Sequence, residues 1–162
     1  MDSNTIITTC ATAVAVGSLW ASTVQARAVK VHNRTSVMPH LQIRQVKNYE
    51  NGRTGLQILN VGLGPALVTR STVKLDGVPV GQWNWPTFQT MAADWPQMPN
   101  MYALFTGVSF PMGDCQYLIH LDDYDEARHA WFWELVARRL SIEIEYESFY
   151  RGDNLKAEPP AL

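Results

Sequence analysis

Hydrophobic and polar positions divide the chain into an uncharged N-terminal stretch and a longer part made of short alternating runs. Residues 5–24 contain no Asp, Glu, Lys or Arg, and about 20 mostly apolar positions allow a helix to cross the hydrocarbon core of a bilayer. Thr and Ser occupy seven of these positions, so the stretch is only weakly apolar. We interpret residues 1–35 as a single N-terminal transmembrane helix with a juxtamembrane segment.

Two other interpretations of this stretch stay open. The first is a buried helix in the core of a soluble protein. The second is a cleaved signal peptide, because Ala26-Arg27-Ala28 has the small-x-small form of a cleavage site, and the mature protein would then be secreted or periplasmic. A signal peptide begins with basic residues, whereas residues 1–5 contain Asp2 and no Lys or Arg. This difference favours the transmembrane interpretation.

Basic residues follow the uncharged stretch, and none precedes it. Because positively charged residues close to a span stay in the cytoplasm, Arg27, Lys30 and Arg34 predict an N-terminus outside and a folded domain in the cytoplasm. The same three side chains are predicted to contact anionic lipid head groups, each contributing about 1 kcal/mol. Membrane lipid is therefore an expected partner.

Small residues recur at every fourth position of the stretch, at Thr9, Ala13, Gly17 and Ala21. Small side chains at this spacing allow two helices in lipid to approach closely. We therefore predict a membrane association face at Ala13, Gly17 and Ala21, through which the protein would form a homo-oligomer. The alternative is ordinary composition, since Ala and Gly are common in membrane spans.

The remaining chain shows period-two alternation between turn signals, which predicts β-strands. The predicted strands cover residues 41–47, 54–61, 66–75, 78–80, 101–110, 115–121 and 142–150. Asn51-Gly52 and Asp76-Gly77 mark hairpin turns between neighbouring strands. One segment changes period, because residues 122–139 begin with acids, end with Arg138 and Arg139 and carry apolar residues at helical spacing.

The predicted fold class is mainly β. We expect an antiparallel β-sandwich of immunoglobulin-like arrangement with one inserted surface helix, spanning residues 36–151 and preceded by the transmembrane helix. Residues 152–162, which end in KAEPPAL, are expected to form a disordered tail.

Three sequence strings occur together in this chain: NRTSVMPHL at 33–41, NVGLGPA at 60–66 and YESFY at 146–150. With these strings the chain resembles a loose group of uncharacterised bacterial proteins that have an N-terminal membrane helix followed by a small β-sandwich domain. The resemblance implies the same architecture and a bacterial inner-membrane location. It implies no activity, because the group carries none that could be transferred.

Net charge and cysteine content narrow the function classes. The formal net charge is −2, whereas a nucleic-acid-binding domain is usually strongly basic, so we expect no nucleic-acid partner. Cys10 lies in the uncharged stretch and Cys115 in the domain, and we do not expect them to pair. Few cysteines are typical of a reducing compartment.

The glycine-rich segment 60–65 (NVGLGP) is a candidate anion site, because glycine turns can aim several backbone N–H groups at a phosphate. The spacing differs from G-x-G-x-x-G, and a predicted strand follows instead of a helix. These two features favour a tight turn between strands, in which Asn60 bonds to the backbone.

Imidazoles and carboxylates between residues 120 and 129 have the chemistry of metal ligands, at His120, Asp122, Asp123, Asp125 and His129. Acids at a helix start also cap the helix and complement its dipole, which explains the cluster without a metal. We therefore expect no metal site.

Acidic and aromatic side chains of the domain offer two further candidate surfaces. Alternating glutamates at Glu143, Glu145 and Glu147 form either an acidic ribbon for a basic partner or a solvated outer face. Five Trp residues of the domain serve the core and anchor loops, or in part form a binding surface: Trp83, Trp85, Trp95, Trp131 and Trp133.

The chain contains no G-x-S-x-G, H-E-x-x-H, C-x-x-C or Walker motif. We expect no catalytic residue and no cofactor, and we predict a membrane-tethered binding or assembly module that recruits or senses a protein partner at the membrane. The alternatives are an enzyme with a dispersed active site and a small membrane-acting effector that oligomerises through its span. An exposed apolar patch would favour the binding module, and a pocket of convergent polar groups with shifted pKa values would favour the enzyme.

Overall fold

The structure, a computed structural model, describes residues 2–47, 52–149 and 154–160, and in the N-terminal helix it describes the side chains of residues 7, 8 and 11–29. The chain divides into two compact units, Met1–Ser36 and Val37–Leu162. The first unit is one long helix. The second contains all the described strands and the two shorter helices.

Residues Ser3–Ser36 form helix α1, which has 34 residues. Within the described residues, no helix is long and apolar enough to cross a membrane. The expected transmembrane helix over residues 1–35 is therefore wrong, and so is the single-pass inner-membrane location with the N-terminus outside. The physical reason is composition, because seven Thr and Ser side chains between residues 5 and 24 dilute the apolar ones.

The side chains of α1 from residue 11 to residue 29 are exposed. A Cβ added at Gly17 would meet nothing within 4 Å, so the face of Ala13, Gly17 and Ala21 is open. The association face was predicted for a helix in lipid, so that prediction loses its basis together with the span. We predicted lipid contacts for Arg27, Lys30 and Arg34 from the membrane span, and without a span that argument no longer applies.

The second unit is built from two antiparallel sheets. The strands are β1 Leu41–Lys47, β2 Thr54–Asn60, β3 Ala66–Leu75, β4 Val78–Gly81, β5 Asn100–Met101, β6 Ser109–Phe110, β7 Cys115–Leu121, β8 Leu140–Ser148 and β9 Leu155–Ala157. One sheet has the order β1-β2-β7-β5, and the other has the order β4-β3-β8-β9 with β6 paired to β3. This arrangement is compatible with a β-sandwich.

Two short helices connect the strands. Helix α2, Trp85–Ala92, begins at Asn84, whose side chain accepts a hydrogen bond from the Thr87 N–H, and Pro86 occupies its first turn. Helix α3, Glu126–Glu134, begins at the N-cap Asp125 and continues into one wide helical turn, Leu135–Arg139. The acids at its start and the two arginines at its end complement the helix dipole.

The expected fold class needs correction in two respects. The two antiparallel sheets are compatible with the expected sandwich. The described residues, however, contain three α-helices instead of one inserted helix behind a transmembrane helix, and none of the three can span a membrane. Leu155–Ala157 pair with β8, within the stretch 152–162 for which we expected a disordered tail. Residues 48–51, which include part of the predicted Asn51-Gly52 turn, lie outside the described residues.

The core lies between the sheets and is closed by the two short helices. Its fully buried side chains come from both sheets and both helices, and they include Trp83, Phe88, Phe110, Phe132, Leu56, Ile58, Leu118, Ile119, Ile142 and Ile144. The strict inward alternation of β8, in which every second residue is buried, follows from the period of two along a strand. Burial of these apolar surfaces is the main stabilising term of the domain.

Candidate functional site: the loop end around Asn60

The side chain of Asn60 connects three segments of the domain at the end of β2. Its Oδ1 accepts hydrogen bonds from the backbone N–H of His40 at 3.1 Å and of Gly62 at 3.0 Å. Its Nδ2 donates to the carbonyl oxygens of Gly64 and Phe110, both at 2.8 Å, and to that of Pro111 at 3.3 Å. Asn60 is fully buried, so these bonds satisfy a polar group that would otherwise be costly inside the protein.

Glycines allow the loop after Asn60 to lie directly against the segment that enters β1. A Cβ added at Gly62 would collide with the backbone of Met38, Pro39 and His40, and one added at Gly64 would collide with the carbonyl group of Val37. The sequence therefore needs glycine at both positions, because any other residue would push the two backbones apart. This contact fixes the loop to the body of the domain.

The turn Pro111–Asp114 lies on the other side of Asn60. The Gly113 N–H donates to the Asn60 carbonyl oxygen at 2.9 Å, and the Asn60 N–H donates to the Asp114 carbonyl oxygen at 3.0 Å. Gly113 has φ +77°, a value that glycine adopts without strain, and the Asp114 N–H closes the turn on the Pro111 carbonyl oxygen at 3.1 Å. Met112 therefore stands at the tip of a fixed turn.

Four apolar side chains on these adjoining segments point into solvent, and we call them the loop-end patch: Met38, Val61, Leu63 and Met112. Their exposed fractions are 37% for Met38, 47% for Val61, 67% for Leu63 and 63% for Met112. Apolar side chains on backbone that is held by buried hydrogen bonds cannot turn inward to avoid water. Clustered exposed apolar residues of this kind mark interaction sites more often than isolated ones do.

The backbone of residues 61–64 has no N–H group left for an anion. The Val61 N–H donates to the His40 carbonyl oxygen at 2.9 Å, the Gly62 N–H donates to Asn60 Oδ1, and the Leu63 and Gly64 N–H groups both donate to the Met38 carbonyl oxygen. An anion cradle requires free N–H groups that converge on one point. The structure therefore supports a structural turn here, and the segment is not a phosphate site.

A second polar cluster lies on the outer face of the first sheet around His120. Asp122 accepts hydrogen bonds from Arg53 Nε and Asn100 Nδ2, both at 2.9 Å. His120 Nε2 is 3.7 Å from Asp122 Oδ1, and the His120 ring lies 5.1 Å from the Tyr117 ring. Burial lowers the pKa of His120 below its usual value, and Arg53 lowers it further while Asp122 opposes both effects.

The other members of this acidic segment serve the start of α3. Asp125 Oδ1 accepts the Arg128 N–H at 2.9 Å, and His129 Nδ1 accepts the Asp125 N–H at 2.9 Å. The N-cap is therefore Asp125, whereas Asp122 binds Arg53. In the part of the chain that the structure describes, no group of three or more His, Cys, Asp or Glu side chains is placed to hold a metal ion.

The row of glutamates on β8 forms ion pairs with neighbouring strands. Glu143 accepts hydrogen bonds from Lys74 of β3 and Lys156 of β9, and Lys156 also lies 3.5 Å from Glu145. These bonds, first that from Lys156 and then that from Lys74, lower the pKa of Glu143. Lysines of the same sheet therefore neutralise this carboxylate. Such pairing favours the solvated outer face over the acidic ribbon for a basic partner.

The domain's tryptophans divide between core and surface. Trp83 is fully buried and donates its indole N–H to the Tyr102 carbonyl oxygen at 2.8 Å. A chain of ring contacts runs from Trp83 through Phe88 to Trp95 and then to Trp131. Trp85, at the start of α2, is exposed. Most of these rings therefore stabilise the packing of α2 and α3.

Comparisons with protein-family models and with curated proteins identified no relative of this chain. No protein-family model matches the chain, and no curated protein matches it either. The resemblance to a group of bacterial proteins therefore stays a prediction.

Proposed function

We propose that the domain of residues 37–160 is a protein-binding module and that the loop-end patch is its contact surface. The observation that carries the proposal is the exposure of Leu63 and Met112 on backbone that is fixed by the buried Asn60. Holding apolar side chains in water is unfavourable for the isolated domain. A partner that covers them would recover this free energy.

Rigidity of the patch supports binding because a fixed surface loses little conformational entropy when it is covered. Met at the tip of the Pro111–Asp114 turn adds a flexible, polarisable side chain that adapts to the shape of a partner. Leu63 and Val61 supply branched apolar surface beside it. The three exposed side chains together supply the apolar surface that the centre of a protein interface requires.

The proposal differs from our sequence-based expectation in one respect. We expected recruitment at a membrane, and no described helix can span one, so the membrane tether is not part of the proposal. The protein partner remains.

An enzyme with a dispersed site has weaker support. The described group that comes nearest to acid–base chemistry is His120 with its lowered pKa. However, the 3.7 Å separation from Asp122 exceeds hydrogen-bond distance, and Asp122 is already held by Arg53 and Asn100. The arrangement links the end of β7 to Arg53 and to Asn100 of β5, and we do not adopt catalysis as a second function.

The proposal can be tested by affinity capture from an extract of the source cells with the full chain. The test variants are Leu63→Asp and Met112→Asp, which place a charge in the patch. The matched control is Val78→Asp, because Val78 is 64% exposed and lies beyond the far end of the ten-residue strand β3. We expect the same protein to be recovered with the wild type and with the control, and to be lost with both patch variants. Equal recovery with all four chains would refute the proposal.

A further inference from the structure

Two of the four side chains in the loop-end patch are methionines, and both are exposed to solvent. Met112 is 63% exposed at the tip of its turn, and Met38 is 37% exposed. The other two members, Val61 and Leu63, are hydrocarbons that a mild oxidant does not change, whereas a thioether is readily oxidised. The patch therefore contains two groups whose polarity can be altered by a covalent reaction.

Burial separates these two methionines from those that support the fold. Met91 of α2 is 9% exposed and belongs to the hydrophobic core. Met101 of β5 is half-buried and packs against that core. Because an oxidant dissolved in water reaches an exposed sulfur before a buried one, we expect Met112 and Met38 to react before Met91 and Met101.

The fold around the patch depends on backbone hydrogen bonds, and these do not involve the methionine side chains. The Met38 carbonyl oxygen accepts the Leu63 N–H at 3.1 Å. On the other side, Gly113, which directly follows Met112, donates its N–H to the Asn60 carbonyl oxygen at 2.9 Å. Adding an oxygen to either exposed sulfur therefore changes the surface of the domain and leaves these bonds in place.

Hydrogen peroxide is an oxidant of sufficient strength for this reaction. The thioether sulfur attacks one peroxide oxygen, the O–O bond breaks, and an S=O bond forms. The other oxygen leaves as water with both peroxide hydrogens, so the sulfur is oxidised and the peroxide is reduced by the same electron pair. The sulfoxide is polar. Covering it with an apolar partner surface would bury an acceptor that has lost its bonds to water.

We propose that Met112 and Met38 are an oxidation site that regulates the loop-end patch, at which conversion of their thioethers to sulfoxides by a peroxide releases the partner. The inference rests on the function proposed above, because the partner must first bind this patch. Methionine sulfoxide reductases reverse the reaction. The sulfoxide oxygen then leaves as water, and two thiols of the electron donor are oxidised to a disulfide.

Met98 provides a matched control because it is 51% exposed and lies away from the patch. It stands two residues before Asn100, which pairs with His120 near one end of β7. The turn that carries Met112 leads into Cys115 at the other end of β7. An oxidant that acts by exposure should modify Met98 as well, but a sulfoxide there should not affect binding at the patch.

The test treats the full chain with hydrogen peroxide and then with dithiothreitol, which reduces oxidised thiols and leaves methionine sulfoxide to its reductases. Peptide mass spectrometry follows the oxidation of each methionine over time. The probe for binding is the protein that the wild type captures from the cell extract and that Leu63→Asp loses. The double variant Met38→Leu/Met112→Leu removes both patch thioethers at similar volume, and Met98→Leu removes the control thioether. Circular dichroism checks that the variants and the oxidised chains are folded.

We expect peroxide to weaken capture at least about tenfold for the wild type and for Met98→Leu, and to leave the double variant unaffected. The two reductases, one for each sulfoxide epimer, should restore capture. Met112 should be oxidised about as fast as Met98 and faster than Met91.

Undiminished capture by the oxidised wild type, an equal loss for the double variant, or oxidation of Met91 as fast as Met112 would overturn this inference and leave the proposed function standing. If no captured protein depends on Leu63, the proposed function fails and this inference fails with it.

Discussion

Replacing Asn60 with aspartate should destabilise the domain strongly although it changes the side-chain volume little. Asn60→Asp keeps the acceptor for the His40 and Gly62 N–H groups but replaces the Nδ2 donor by an oxygen. Two carbonyl oxygens at 2.8 Å, those of Gly64 and Phe110, then face a second acceptor instead of a donor. Each buried polar group left without a partner costs about 1–3 kcal/mol. For two such groups we expect a loss of at least about 2 kcal/mol, a large part of the roughly 5–15 kcal/mol typical of a domain.

Urea unfolding followed by tryptophan fluorescence measures this loss at pH 7. The introduced carboxyl is buried among acceptors, so its folded pKa must lie above the unfolded value of about 4. Stability is then highest when the group is protonated and falls as pH rises through that range, so the difference from wild type should shrink near pH 4. Asn154→Asp, at an exposed position, makes the same charge change and should cost less than about 0.5 kcal/mol. A loss below about 1 kcal/mol, or an equal loss at both pH values, would show that Asn60 does not organise the loop end.

Three further substitutions, one of them with Gly17→Ala as its control, test other parts of the fold. Gly55→Ala should lower the free energy of unfolding in urea by at least about 2 kcal/mol, because a Cβ at this position would collide with the backbone of β7. The control Gly17→Ala adds a Cβ in open space and should raise the helicity measured by circular dichroism. An equal change in unfolding free energy for both variants would contradict the contact with β7. Glu143→Gln should be less stable than wild type at neutral pH. Because the folded pKa of Glu143 is lowered, the difference should start to shrink below pH 4.5 and vanish once pH has fallen through the folded pKa. A difference that persists in stronger acid would contradict the ion pair. Tyr146→Phe should lower the free energy of unfolding, measured with heat or urea, by about 1–2 kcal/mol, since the buried Leu41 N–H loses its acceptor. An unchanged free energy of unfolding would mean that another group replaces this hydrogen bond.

Local patterns were enough to predict most of the long strands. The predicted runs 41–47, 66–75 and 115–121 coincide with β1, β3 and β7, because alternation and turn residues act between near neighbours. The predicted run 101–110 is wrong over most of its length, since only its ends are strands. Its middle residues bond to β3, with the Gly107 N–H on the Val68 carbonyl oxygen, and that contact is distant in sequence.

The bounds of the helices also depended on partners that are distant in the chain, which a local pattern does not show. The acids and bases of 122–139 predicted a helix, but the structure has α3 only from Glu126 to Glu134 and then a wide turn. Asp122 and Asp123 precede α3 because Asp122 binds Arg53, which directly precedes β2, and Asn100 of β5. A charge pattern along one segment does not show such partners.

The membrane helix is the largest difference between sequence and structure. We predicted a membrane span within residues 1–35 because residues 5–24 are long enough and carry no charge. The helix that the structure describes is not apolar enough to cross a membrane. The criterion of absent charge gave too little weight to the Thr and Ser side chains. Mean hydropathy along the helix would have been the better signal.

The loop-end patch was only partly predictable. The glycines of residues 60–65 and the bonding of Asn60 to the backbone follow from turn chemistry. The spatial proximity of Met38 and Met112 does not follow from turn chemistry. Asn60 brings their segments together through hydrogen bonds to His40 and Phe110, which are 20 and 50 residues away in the chain. An exposed Met in a turn gives no sign, by itself, of the loop beside it.

The central claim is that the loop-end patch binds a protein partner, and the most direct test is the affinity of the captured partner for matched variants. Isothermal titration calorimetry compares the wild type with Leu63→Asp and with Val78→Asp, whose side chains are similarly exposed, at 67% and 64%. We expect Leu63→Asp to weaken binding at least about tenfold, as for a residue at the centre of an interface, and Val78→Asp to change it less than about twofold. Equal affinities for Leu63→Asp and the wild type would contradict the account.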